Sequence, residues 1–135
     1  MQKINTFLMF EGQAEEAMHF YISLFEKSKI LSINRYGIDE AEFEGKVKYA
    51  TFALHGQVYM CMDSNIKHGF TFTPSMSLFI VCKTEAEIDR LFIKLSDAGQ
   101  VLMPLDRYPF SEKFAWVSDR FGVSWQLNLG AIQSA

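Results

Sequence analysis

The chain has 135 residues, of which 49% are hydrophobic and 15% aromatic, and its formal net charge is −3 at pH 7. A chain of this size can bury a sizeable core without disulfides or structural metal. Acidic and basic residues are interspersed without a basic stripe for phosphates, which argues against a nucleic-acid partner and against a membrane surface. We therefore predict one domain over residues 1–135, with small molecules or proteins as partners.

Two helices and eight strands are predicted, in the order strand, helix, three strands, which occurs twice. The first helix, near residues 13–26, has apolar residues at three- and four-residue spacing. The second helix begins at a capping box of Thr84 and Glu87, and Gly99 is placed to end it. The strands are rich in aromatic and β-branched residues. They are predicted over residues 3–10, 29–36, 46–54, 57–63, 75–82, 101–105, 114–118 and 123–129.

Turn-forming residues predict the connections between these elements. His55 and Gly56 are expected to turn one hairpin, and residues 119–122 suit a type I turn with Asp first and Gly fourth. The acidic segment 37–45 is expected to be an exposed loop, and residues 106–110 are expected to form a long loop after the sixth strand. Arg107 in that loop either is solvated, which we favour, or pairs with an anionic group of a ligand.

An internal repeat supports two similar halves. A shift of about 71 residues superposes Phe7-Leu8 on Leu78-Phe79 and Leu24 on Leu95. Toward the ends of the halves the shift falls to about 66 residues, which superposes Gly56 on Gly122 and Met60 on Gln126. The repeat predicts two βαβββ modules, over residues 1–70 and 71–135.

Cysteine and histidine carry little functional information. Cys61 and Cys82 lie in apolar runs and are expected to be buried, reduced thiols. The three histidines do not have the spacing of a helical metal site. His68 and Asp63 could attract a stray divalent ion, although a solvated loop is the favoured interpretation.

The last strand alternates strictly between apolar and polar residues. Ser124, Gln126 and Asn128 share its polar face, which meets water in an ordinary half-exposed strand. On the preceding strand, Phe114 and Trp116 share one face, where they either pack in the core or clamp a flat ligand.

Several segments together resemble the PhnB-like branch of the vicinal oxygen chelate superfamily, which includes glyoxalases, bleomycin-resistance proteins and extradiol dioxygenases. The branch is often labelled as similar to a 3-demethylubiquinone 3-methyltransferase. The resemblance implies an α+β fold in which two βαβββ modules form a curved mixed sheet around a cavity, with the polar face of the last strand toward that cavity. The resembling segments are residues 10–17, 20–21, 24–25, 54–57, 72–75 and 119–126.

The resemblance also implies four metal-ligand positions in metalloenzyme members, on the first and last strands of both halves. Here these positions hold Thr6, Met60, Ser77 (or its neighbour Met76) and Gln126. Thioether and amide groups are poor ligands for catalytic Zn²⁺ or Fe²⁺, so we predict no metal. No cofactor is predicted either, since the sequence lacks the G-x-G turn that S-adenosylmethionine binding would normally need.

We therefore expect a metal-independent protein that binds a small, flat or partly apolar molecule in a cavity. One alternative is an enzyme of the same superfamily, either a metal-dependent lyase, isomerase or dioxygenase or the methyltransferase of the family label. The other alternative is a homodimeric interaction module. A homodimer is expected in any case. The candidate ligand-binding residues are Thr6, Met60, Ser77, Trp116, Ser124, Gln126 and Asn128.

The expected location is the cytoplasm. Residues 1–12 lack the features of a signal peptide, and no apolar run approaches the length of a membrane span.

Overall fold

The computed structural model describes residues 2–130. It divides into two compact units, whose boundary in the sequence lies between Gly69 and Phe70. Each unit has the order βαβββ and contains one four-stranded mixed sheet. The predicted α+β fold class, with two βαβββ modules, is confirmed.

The first unit contains a sheet with the strand order β1-β4-β3-β2, in which β1 and β4 are parallel and the other neighbours are antiparallel. A short 3-10 segment, Ile38–Phe43, kinks at Glu40 within the acidic segment that was predicted to be an exposed loop. The elements are β1 (Thr6–Phe10), α1 (Ala14–Leu24), β2 (Lys29–Arg35), β3 (Val47–Leu54) and β4 (Gln57–Asp63).

The second unit repeats this arrangement with the strand order β5-β8-β7-β6, and β5 and β8 are its parallel pair. The elements are β5 (Ser77–Cys82), α2 (Glu85–Ser96), β6 (Gln100–Tyr108), β7 (Ser111–Ser118) and β8 (Ser124–Leu129).

Each helix buries the apolar stripe that its spacing predicts. Tyr21 of α1 is fully buried, and its ring stacks on Phe52 of β3 with centroids 6.4 Å apart. In α2 the stripe consists of Ile88, Leu91 and Leu95. One face of each sheet is thus covered by its own helix, and the hydrophobic core of each unit lies between them.

The predicted capping box at α2 is present. Thr84 Oγ1 accepts a hydrogen bond from the Glu87 N–H at 3.1 Å, and the Glu87 carboxylate accepts one from the Lys83 N–H at 3.1 Å. Gly99 is required by space rather than by backbone conformation, because a Cβ at this position would collide with the carbonyl oxygen of Ser118. The left-handed residue at the helix end is Ala98, with φ of 59°.

The two predicted turns are confirmed. His55 and Gly56 both have positive φ, at 51° and 84°, as a tight hairpin turn requires. The Gly122 N–H donates to the Asp119 carbonyl oxygen at 2.9 Å, which closes the predicted four-residue turn.

The long loop predicted at residues 106–110 is wrong. β6 continues to Tyr108, and Pro109 and Phe110 alone connect it to β7. β6 is an edge strand with three register irregularities against β7, so it tolerates Pro104 in its middle. No helix in the described residues 2–130 is long and apolar enough to span a membrane.

Candidate ligand pocket on the second sheet

The two faces of β8 differ as the sequence alternation predicts. Trp125 and Leu127 are buried on the side that packs against α2, and Trp125 is only 2% exposed. Ser124, Gln126 and Asn128 therefore lie on the opposite face of the sheet, which we call the pocket face.

One row of side chains crosses all four strands of the pocket face. Phe79 of β5 pairs with Gln126 of β8, Gln126 pairs with Trp116 of β7, and Trp116 pairs with Met103 of β6. Paired residues of neighbouring strands project to the same side of a sheet, so these four side chains are neighbours.

This row forms the floor of an open pocket of about 310 Å³, which is near the lower end of the range for small-molecule sites. Among residues 2–130, no ionisable side chain lines the pocket. Three of the predicted candidates, Trp116, Gln126 and Asn128, are among them. The lining residues are Phe79, Met103, Phe110, Phe114, Trp116, Gln126 and Asn128.

An aromatic cluster forms one end of the pocket. Phe110 meets Phe114 edge to face with ring centroids 5.0 Å apart, and Tyr108 stacks on Phe110 at 5.6 Å. Phe114 is buried, whereas Phe110 is 39% exposed. The exposed ring is thus supported from two sides by the β6-β7 hairpin, which holds an apolar surface ready for a flat ligand.

Four of the predicted candidates form one hydrogen-bond network beside the pocket. The Trp116 Nε1–H donates to Ser124 Oγ at 2.8 Å, and Ser124 Oγ lies 2.7 Å from Ser77 Oγ. Gln126 Nε2 donates to Ser77 Oγ at 3.2 Å, and the Pro74 carbonyl oxygen lies 3.3 Å from both serine hydroxyls. The network fixes the orientation of the indole ring and of the glutamine amide.

Gln126 keeps hydrogen-bonding capacity after this contact. Every buried side-chain N or O atom within residues 2–130 has a hydrogen-bond partner. Gln126 Oε1 has no partner there, so this oxygen is accessible. The amide can therefore accept a hydrogen bond from a bound molecule, and one N–H also remains to donate.

The amide of Asn128 is already hydrogen-bonded within the protein. Its Oδ1 accepts from the Ser111 hydroxyl, and its Nδ2 donates to the Gly130 carbonyl oxygen at 2.9 Å. The side chain is only 2% exposed, so its amide holds the start of β7 against β8.

Thr6 and Met60 lie in the first unit and do not share a face of its sheet. Thr6 pairs with Tyr59, whereas Met60 pairs with Phe7. The register also corrects the repeat, because Phe7 corresponds to Phe79 rather than to Leu78. The predicted superposition of the first strands was wrong by one residue, which exchanges the two faces of the sheet.

The residues present do not fit a catalytic metal. With the corrected register, the paired positions on the first and last strands hold Phe7 and Met60 in one unit and Phe79 and Gln126 in the other. Within residues 2–130, no three His, Cys, Asp or Glu side chains are close enough together to hold a metal ion. Phenyl, thioether and amide groups do not form a site for Zn²⁺ or Fe²⁺.

Asp63 has a structural role that the sequence did not reveal. Its carboxylate accepts hydrogen bonds from the N–H groups of Gly12, Ala14 and Val47 at 2.8, 2.9 and 3.1 Å. Asp63 is 1% exposed, so the solvated loop expected for it is wrong. This carboxylate caps α1 in place of Gln13, whose side chain makes no capping bond.

The cysteines are buried thiols, as predicted. Burial and, secondarily, the charge of Asp63 raise the pKa of Cys61 to about 12. Burial, with a contribution from the nearby Glu87, raises the pKa of Cys82 to about 12. Neither thiol is a nucleophile near neutral pH.

A second, polar pocket lies beside the β6-β7 hairpin and contains Arg107. Its lysine, Lys113, contacts Asp89 at 2.6 Å and Glu85 at 3.1 Å. These ion pairs with carboxylates of α2 raise the pKa of Lys113. The positive charge of Lys113 is therefore paired within the same unit.

The sequence of the chain matches a known protein family. The family model described as 3-demethylubiquinone-9 3-methyltransferase matches residues 2–128. The chain belongs to this PhnB-like family. No curated protein sequence matches it significantly.

Solved structures support the family and show the fold. A PhnB protein from Bacillus cereus is 60% identical, covers 96% of this chain and 100% of its own, and superposes with a TM-score of 0.93. A Pseudomonas aeruginosa protein is 25% identical over 99% of this chain and 100% of its own, with a TM-score of 0.83. The fosfomycin resistance protein FosX of Listeria monocytogenes shares the fold at 10% identity, with a TM-score of 0.61 over 97% of this chain and 94% of its own. The PhnB-like chain therefore has the glyoxalase/bleomycin resistance/dioxygenase fold.

Proposed function

We propose that this PhnB-like protein binds a small, flat, largely apolar molecule in the pocket of the second sheet and does so without a metal ion. The observation that carries the proposal is the composition of the pocket wall. Within residues 2–130, aromatic side chains and Met103 surround one accessible side-chain amide, that of Gln126. This is the composition expected of a site that holds a ligand by apolar contact and orients it by few polar groups.

The same wall supports binding rather than catalysis. General acid-base catalysis needs a titratable side chain within hydrogen-bond reach of the substrate. The lining residues within the described part of the chain include no carboxyl, imidazole, thiol or amine group. The methyltransferase of the family description would require a methyl donor, and the G-x-G turn typical of S-adenosylmethionine sites is absent from the sequence.

The two tryptophans provide a test with an internal control. Trp116 lines the pocket, whereas Trp125 is buried on the opposite side of the sheet and donates its N–H to Asp119. In ¹H–¹⁵N correlation spectra of ¹⁵N-labelled protein, addition of indole, quinoline or 1-naphthol is expected to shift the Trp116 indole and Gln126 amide signals. The Trp125 indole signal should move much less.

A variant without the Trp116 ring and a titration with Zn²⁺ or Fe²⁺ also test the proposal. Trp116→Ala, which removes the ring from the pocket floor, is expected to weaken binding of these probes at least about fivefold, since a stacked aromatic contact contributes about 1 kcal/mol beyond its buried area. Shifts confined to other parts of the protein, or tight binding of Zn²⁺ or Fe²⁺ that alters the Gln126 signal, would overturn the proposal.

Self-association is a second candidate role. Large apolar side chains are exposed on the edge strands β1 and β5, with Phe7 at 46%, Phe79 at 43% and Val81 at 64%. Exposed apolar edge strands favour pairing with another chain. We propose a homodimer, and sedimentation equilibrium over a hundredfold concentration range tests it. A monomer throughout that range would contradict it.

A further inference from the structure

We infer that Gln126 selects for an uncharged aromatic ligand that carries a hydroxyl group. This inference rests on the proposed function and adds the chemical class of the bound molecule. It follows from the hydrogen bonds that the polar groups around the pocket already make.

Most of those groups are already used within the protein. The indole N–H of Trp116 is donated to Ser124, and both groups of the Asn128 amide are bonded to Ser111 and Gly130. The hydroxyls of Ser77 and Ser124 bond to each other and to the Pro74 carbonyl oxygen. The pocket therefore offers a ligand the amide of Gln126 as its polar group.

The hydrogen bond that Gln126 Nε2 donates to Ser77 Oγ agrees with the other donors and acceptors of this network. Because an indole N–H can only donate, Ser124 Oγ accepts from Trp116, and the serine protons have each other and Pro74 as acceptors. Ser77 Oγ is then available to accept from Gln126 Nε2. This leaves Gln126 Oε1 as an accessible acceptor within residues 2–130, which favours a ligand that carries a donor.

A hydroxyl group fits this amide better than a group that only accepts. It donates to Oε1 and can accept from the remaining N–H of the same side chain. A carboxylate is disfavoured, because none of the described residues that line the pocket is cationic and could compensate for the loss of hydration.

Matched naphthalenes of similar size separate these chemistries. The affinities of 1-naphthol, 1-methoxynaphthalene and 1-naphthoate are measured at pH 7 from the Trp116 indole shift. We expect 1-naphthol to bind about fivefold to tenfold more tightly than its methyl ether, the effect of one uncharged hydrogen bond. The naphthoate is expected to bind at least about tenfold more weakly than 1-naphthol.

Variants assign the preference to Gln126. Gln126→Leu removes the acceptor at similar size, and it should abolish the preference for 1-naphthol over its ether while apolar binding persists. Gln57→Leu, at an exposed glutamine of β4, is the matched control and should keep the preference. A thermal melt of each variant checks folding.

The outcomes separate the two proposals. If none of the three compounds shifts the Trp116 signal, the proposed pocket function fails. If they bind there but the ether equals 1-naphthol, or if Gln126→Leu keeps the preference, the pocket stands and the assigned ligand class is overturned.

Discussion

Trp125 donates its indole N–H to Oδ2 of Asp119 at 2.8 Å, and both residues are buried in the second unit. The other carboxylate oxygen accepts from the N–H groups of Phe121 and Val123 at 2.8 and 3.0 Å. One carboxylate thus closes the β7-β8 turn and anchors the largest core side chain. Asp119 resembles a family residue, and its bonds give it a structural role.

We expect Asp119→Ala to lower the free energy of unfolding by about 3 kcal/mol, because three donors lose a charged acceptor. Urea denaturation measures the change. Asp97→Ala is the control, since this carboxylate is 73% exposed and forms a surface ion pair with Arg120, so its removal should cost less than about 0.5 kcal/mol. Equal destabilisation by the two variants would contradict the role of Asp119.

Much of the candidate pocket could be predicted from β8 alone. In that strand, polar and apolar residues alternate, so one face could be separated from the other, and Gln126 was placed on the pocket face. β5 has the sequence SLFIVC, in which apolar residues occupy both faces. Its register against β8 therefore could not be read from hydrophobic periodicity, and Phe79 was missed.

The error at the β6-β7 hairpin has a different cause. The predicted strand ends at residue 105 and is followed by a loop that contains Pro109, although the strand already includes one proline, Pro104. Proline disrupts a strand only where its N–H would be needed by a neighbour, and β6 has a neighbour on one side only. Which strand lies at an edge depends on the tertiary fold, so the aromatic end of the pocket became visible only in the structure.

Gly99 is predicted to be sensitive to substitution because of space rather than backbone conformation. A Cβ there would overlap the Ser118 carbonyl oxygen, a backbone atom that cannot rotate away. Gly99→Ala is expected to destabilise the protein by about 2 kcal/mol or more in urea denaturation. Gly69→Ala is the matched control, because nothing lies within 4 Å of its Cβ position, and it should change stability by less than about 0.5 kcal/mol. A neutral Gly99→Ala would show that α2 and β7 can separate at low cost.

The buried thiols predict how reactivity and stability depend on pH. With a pKa of about 12, Cys61 and Cys82 carry only about one thiolate in ten thousand at pH 8. The native protein should therefore react with Ellman's reagent only as fast as it unfolds. In urea at about 8 M, where the protein is unfolded, both thiols should react at once. Ser23→Cys, at an exposed position of α1, provides a thiol that should react within minutes.

The same shifts have a consequence for stability. A pKa raised in the folded state means that stability is fully present below the unfolded thiol pKa, near 8.5, and is lost as the pH rises toward 12. The urea concentration at the unfolding midpoint should decrease as the pH is raised from 8 to 10. The double variant Cys61→Ala/Cys82→Ala should show a smaller decrease, that is, a smaller slope of the midpoint against pH. An unchanged slope in the double variant, or rapid labelling of the native protein at pH 8, would show that the thiols are not held in the protonated form by the core.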